Sequence, residues 1–219
     1  MNKFSLLSLL LIILTTSCSS SYTVEGTNSL TQLNGKTVYL KLFINNEWVT
    51  VNSADIIHSN FKMTGEIKEY PLLTTLFIDN LPITPLILEP GNISINLNRA
   101  NLTIQGTALN NKLNIFHHQK QALDFKLNEA FVNDKTEHIY CLNDAREALI
   151  KEFALNNKEN ILGPTIISFY NEDFPELLSN EDIKELLSSP FYITKEEMEY
   201  RFTDVESFID LTFIDFLLW

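Results

Sequence analysis

Basic residues are scarce in this chain of 219 residues: 16 Lys plus Arg stand against 28 Asp plus Glu, a formal net charge of −12. Binding to phosphate backbones needs clustered positive charge to displace counterions, so nucleic acid is excluded as a partner. Cysteine is scarcer still, with Cys18 and Cys141 alone. Two thiols so far apart form no C-x-x-C dithiol, and they cannot supply the disulfide framework of a small secreted fold. Long hydrophobic runs are missing too. The apolar stretch Phe4 to Leu14 has eleven residues, and at ~1.5 Å of helical rise per residue it covers about half of a ~30 Å hydrocarbon core, too little to span it. There is no Gly-rich phosphate loop, no G-x-S-x-G nucleophile turn and no helical His pair with the Glu of a zincin. What remains is ordinary globular material, 45% hydrophobic and 20% charged. That composition buries a core in one domain of common size or two small ones.

The first residues read as a targeting segment. Lys3 supplies positive charge, the apolar stretch follows, and the small residues Thr15, Thr16 and Ser17 lead into Cys18. This resembles the lipobox of bacterial lipoproteins, with Thr15 departing from the usual Leu or Val and Leu14 one place further out. The resemblance implies that residues 1–17 are a signal peptide removed before Cys18, and that Cys18 is the lipidation site. Residues 18–21 then form a lipidated cysteine and short Ser-rich tether. The other reading is a plain secretory peptide that leaves Cys18 a free thiol. Several acyl chains at ~0.8 kcal/mol per buried CH₂ hold a protein on a membrane essentially permanently. The expected location is therefore the bacterial cell envelope, with the membrane as partner through Cys18. No acidic residue follows the cysteine to retain it at the inner membrane, so the outer membrane is expected.

Beyond the leader the chain divides in two. Five of the six glycines precede position 107, and the charge is −1 up to Leu109 but −11 from Asn110 onward. In the first part, Val38, Leu40, Leu42 and Ile44 alternate with Tyr39, Lys41 and Phe43, and Ile93, Ile95 and Leu97 alternate with polar residues, the period of a half-buried strand. Further strands are expected at 22–26, 47–51, 61–65, 72–79, 84–88 and 102–105. Asn45-Asn46 suits a two-residue hairpin turn, and Glu89-Pro90-Gly91-Asn92 has Pro and Gly where a type II turn wants them. In the second part Leu109, Leu113, Phe116, Leu123, Leu127 and Phe131 recur at helical spacing, as do Ile139, Leu142, Ala145, Leu149 and Phe153. They predict a helical hairpin turning near Asn133 to Lys135, then a helix opened by Pro164, one capped by Asn180, and one with a Thr194/Glu197 capping box. The expected fold class is α+β: an antiparallel β-sandwich or small barrel over 22–108, a helical region over 109–203 and an apolar tail over 204–219.

Five segments carry a wider resemblance: Tyr22 to Gly26, Gly35 to Leu40, Phe61 to Gly65, Leu88-Glu89-Pro90-Gly91 and Gly106 to Asn110. Together they resemble the β-rich domain of unknown function that opens many Bacteroidetes-type envelope lipoproteins, where a helical connector and a thioredoxin-like or peroxiredoxin-like domain commonly follow. The tail, with Phe208-Ile209-Asp210-Leu211-Thr212 and Asp215, looks like the first strand of such a domain. The dithiol that redox chemistry requires is missing, so a catalytic role is not carried over. The expectation is a non-catalytic binding or scaffolding lipoprotein with no cofactor. The alternative is a truncated or accessory half of a thiol-disulfide system. The tail Phe208 to Trp219 has three open fates: docking on its own domain, adding a strand to a protein partner, or an aggregation-prone remnant.

No catalytic residue or metal site is assigned. Cys141, beside Leu142, reads as a small buried hydrophobe. His117 and His118 point about 100° apart on a helix, and His138 is remote, which gives no metal spacing. Glu196, Glu197 and Glu199 suit the first turn of a capped helix. Tyr39, Phe43 and Trp48 either line a groove for a sugar or peptide or fill the core and edge of the sheet. The ligand, if any, is unknown from sequence, and a small molecule carried inside the sandwich is a third possibility.

Overall fold

Among the described residues, alternating apolar positions separated by turn residues form eight strands: β1 (Ser21–Asn28), β2 (Thr37–Ile44), β3 (Glu47–Asp55), β4 (Asn60–Glu66), β5 (Leu72–Ile78), β6 (Leu81–Leu88), β7 (Gly91–Leu97) and β8 (Leu102–Gln105). Among the described residues four helices follow: α1 (Ala108–Val132), α2 (Thr136–Asn156), α3 (Leu162–Tyr170) and α4 (Asn180–Leu187). The computed structural model describes residues 21–44, 47–67, 70–98, 101–170 and 178–188. The leader, Cys18, Asn45-Asn46, the Thr194 capping box, Glu196, Glu197, Glu199 and the tail 204–219 lie outside them.

The strands make two four-stranded sheets, β4-β1-β7-β8 and β3-β2-β5-β6. Every pairing is antiparallel except one: β1 runs parallel to β7, with Val24 opposite Ile93. That pair is the one parallel neighbour in the expected antiparallel sandwich. A parallel neighbour cannot follow through a tight turn, and here the rest of the sandwich serves as the crossover. Val24, Met63, Ile93 and Ile95 of the first sheet meet Val38, Leu40, Leu76, Leu86 and Leu88 of the second in the main core. Each strand shows the other face outward, as a packed pair of sheets requires.

The turns explain the joints. His58 and Ser59 both have positive φ (48° and 66°), and Ile57 and Asn60 exchange backbone hydrogen bonds around them (2.9 and 3.0 Å). This is the two-residue hairpin whose twist matches its strands. Asp79, also at positive φ, accepts from Lys36 Nζ at 2.7 Å and from the Thr37 N–H at 3.1 Å. The Lys36 hydrogen bond holds the Asp79 carboxyl below its usual range and ties the β5–β6 turn to the start of β2.

The helices cover the outer face of β5 and β6. Leu73 and Ile87 point there and pack with Leu113, Phe116, Ile150, Ala154, Leu162 and Ile166 in a second core. Phe116 is fully buried, its ring 4.4 Å from Phe153 and 6.4 Å from Tyr170. The hairpin turns where the sequence places it, between Val132 and Thr136. Its apolar stripe is buried only near the sandwich, however. Twenty-five residues reach ~37 Å at ~1.5 Å each, well past the sheet. Beyond Phe116 the buried residue of α1 is Ala130, while Phe125 and Phe131 are 66% and 54% exposed. Ser179, not Asn180, caps α4: its hydroxyl accepts from the Asp182 N–H, and Asp182 answers in a capping box.

Candidate functional site

The Glu89 and Asn110 motifs meet in one buried junction. Thr107 stands at the N-cap of α1, but its side chain makes no capping bond. Glu89, from the β6–β7 turn, does so instead. Its Oε1 accepts from the backbone N–H groups of Leu109 (2.7 Å) and Asn110 (3.1 Å), two of the donors a helix start leaves unpaired. A carboxylate is also favoured there by the helix dipole. Asn110, 1% exposed, then treats β6 as a neighbouring strand would. Its Oδ1 accepts from the Ile87 N–H (3.0 Å), and its Nδ2 donates to Ile87 O (2.6 Å) and to Thr107 Oγ1 (2.9 Å). One turn later Asn114 Oδ1 accepts from the Ile104 N–H of β8 at 3.4 Å. Helix α1 thus closes one side of both sheets. Gly106, at φ 107° just before the helix, lets the end of β8 lie against β7, because a Cβ there would lie 2.3 Å from Asn92 O.

The other two motifs interlock as well. In the β1–β4 register Tyr22 faces Gly65 and Phe61 faces Gly26. Each ring lies over the glycine opposite: a Cβ on Gly26 would sit 1.9 Å from Phe61 Cε1, and one on Gly65 2.6 Å from Tyr22 Oη. The pattern aromatic-x-x-x-Gly on two antiparallel strands is therefore a packing device. Asn52 of β3 donates to Tyr22 Oη (3.0 Å) and Thr64 O (2.9 Å), stitching the second sheet to the first.

The aromatic residues singled out in the sequence come together on the outer face of β2, β3 and β5. Phe43 is buried, Trp48 and Tyr39 are half-buried, and Trp48 lies edge-on to Phe43 (5.1 Å) and to Phe77 (4.9 Å). Lys41 Nζ sits 4.3 Å from the Phe77 centroid and 5.0 Å from that of Tyr39, within cation–π range. A separate open cleft of about 350 Å³ lies between α1 and α2, floored by Phe116 and Phe153 and rimmed by Lys112 and Glu152. Lys112 Nζ donates across its end to Asn157 Oδ1 at 3.1 Å. Its size suits a small apolar group.

Cys141 corrects the sequence reading: it is exposed. It lies in the part of α2 that projects past the second core, where nothing among the described residues covers that face. We expect maleimide to label Cys141 in the native protein at a rate within about tenfold of a free thiol, and Cys141→Ala to change stability by less than ~0.5 kcal/mol; slow labelling in native protein that quickens on unfolding would contradict this. His118 and His138 are exposed and apart. Among the described residues no group of three His, Cys, Asp or Glu side chains could hold a metal ion.

His117 was missed as anything but a metal candidate. Its Nε2 is covered and without a hydrogen-bond partner among the described residues, and its ring lies 5.9 Å from that of Phe116. Burial pushes its pKa down to about 4, with Lys120 and His118 adding repulsion. The folded value thus lies below the ~6.5 of the unfolded chain. The stability held by the neutral ring is complete above pH ~6.5 and is lost as pH falls through ~4, an effect of roughly 1–3 kcal/mol for a half-buried ring. Melting curves between pH 7 and 4 should show His117→Phe losing distinctly less stability than the wild type, and parallel losses would refute it. The signal was legible only as its place beside Phe116 on the helical stripe.

The fold and these junctions define a two-sheet β-sandwich domain closed on one side by a helical hairpin. A family model described as a domain of unknown function, DUF4369, matches residues 22–113. That match takes in both sheets and the first turns of α1, and so contains the two interlocks and the Glu89–Asn110 junction. No curated protein matches the chain.

Proposed function

We propose that the protein is a lipid-anchored protein of the bacterial cell envelope that binds or scaffolds at the membrane surface without catalysing a reaction. The observation that carries the non-catalytic part is the use to which the motif residues are put. Tyr22, Gly26, Phe61, Gly65, Glu89, Gly106 and Asn110 are all spent on packing, capping or edge closure. The anchored part rests on the leader and Cys18. Labelled palmitate should enter the wild-type protein and not a Cys18→Ala form; equal labelling would sink the lipoprotein reading. The rival, an accessory half of a thiol-disulfide system, is favoured by the likeness of Phe208 to Thr212 to the start of a thioredoxin-like domain. A C-x-x-C-bearing frame directly downstream in the gene would establish it.

A further inference from the structure

We infer that the β2–β3 hairpin is a second membrane contact, seating Ile44, Trp48 and Val49 in the headgroup region of the bilayer that holds the Cys18 lipid; this rests on the lipoprotein reading above. The direction of the hairpin comes from topology. β3 folds back into β4 through His58-Ser59, and β4 runs antiparallel to β1. So β3 runs the same way as β1, and its first residues lie at the end where Ser21 emerges.

The hairpin extends beyond that end. Asn52 reaches Thr64 O, and Thr64 pairs with Thr23, so Asn52 lies level with the second and third residues of β1. From Asn52 back to Glu47 the strand covers ~16 Å at ~3.3 Å per residue, whereas Ser21 lies only ~7 Å beyond Thr23. The hairpin tip therefore overhangs the start of β1 by ~10 Å. From Ser21 to Cys18 the extended chain reaches about the same distance, ~10 Å at ~3.3–3.6 Å per residue. A lipid on Cys18 cannot hold the sandwich further from the bilayer than the hairpin can reach.

The overhang has the chemistry for that place. Ile44 and Val49 are 44% and 46% exposed, and Val51, the extra residue where the β2–β3 register shifts, is 37% exposed. Trp48, on the opposite face of the hairpin and half-buried against Phe43 and Phe77, has an amphipathic ring of the kind that settles at the membrane–water interface. Exposed apolar side chains on an edge strand otherwise invite pairing with another chain, and a bilayer surface covers them without that hazard.

The test uses the full-length lipoprotein carrying Trp219→Phe, which leaves Trp48 as its one tryptophan, reconstituted into phosphatidylcholine vesicles with or without bromine on the acyl chains. Intact mass first reports the acyl chains on Cys18, and flotation reports vesicle binding. We expect the bromines to quench Trp48 at least twofold, and Ile44→Asp to remove most of that quenching while flotation persists. Acylated protein that floats with equally bright Trp48 in both vesicles overturns the hairpin contact and leaves the lipoprotein reading standing. Unquenched Trp48 with cross-linking between hairpins assigns the surface to a second copy and overturns it too. Protein that carries no acyl chains and does not float overturns both.

Discussion

Gly26→Ala is expected to destabilise the protein by about 3–4 kcal/mol, at the upper end of what overpacking costs. The added methyl would stand 1.9 Å from Phe61 Cε1 and 2.0 Å from Cζ, half the distance two carbons tolerate, so the ring must move. It has little room, because Phe61 is 9% exposed and its strand is held on both sides of the contact by β1. Shortening the opposing side chain should relieve the clash: Gly26→Ala with Phe61→Leu should be less destabilised than the sum of the single changes by at least ~1 kcal/mol. Urea denaturation of the four proteins measures this directly, and strictly additive losses would refute the interlock. Gly65→Ala should behave in the same way against Tyr22, whose hydroxyl is held by Asn52.

Asn110→Leu is expected to cost about 3–5 kcal/mol although it replaces one side chain with another of similar size. The reason is what stays behind. The Ile87 N–H and C=O both lose their partner, and each buried unpaired group costs ~1–3 kcal/mol. The damage should fall on the attachment of α1, so limited proteolysis should cut the α1–α2 hairpin before the sandwich. Glu89→Gln keeps an oxygen for the Leu109 and Asn110 N–H groups and should lose only the charge–dipole part, ~0.3–1 kcal/mol. Glu89→Ala leaves both N–H groups unpaired and should lose more. An Asn110→Leu protein within ~1 kcal/mol of the wild type would show that the junction is not what holds the helix.

Local pattern went far for this chain. All eight strands lie where alternation and turn residues place them, with ends differing by a few residues, as at β3, which runs to Asp55. The helical hairpin, its turn, and the helix containing Pro164 were legible for the same reason: period and punctuation are properties of neighbouring residues. The motif segments were legible as motifs but not as machinery. Glu89 and Asn110 are 21 positions apart, and nothing local says that a carboxyl in a turn caps a helix not yet begun.

What the sequence by itself determined is the order of elements, the change from strands to helices at about residue 107 and the core faces of the strands. Three things were decided only by tertiary structure. The parallel pairing of β1 with β7 depends on which strands the closing sandwich brings side by side. The burial of a helical stripe depends on how far the neighbouring surface extends, so Phe116 is covered and Phe131 is not, though both lie on the same periodic face. Cys141 is exposed for a different reason: it stands one position, about 100°, off Leu142 of the stripe, which is half-buried there while the face that carries Cys141 meets no neighbour among the described residues.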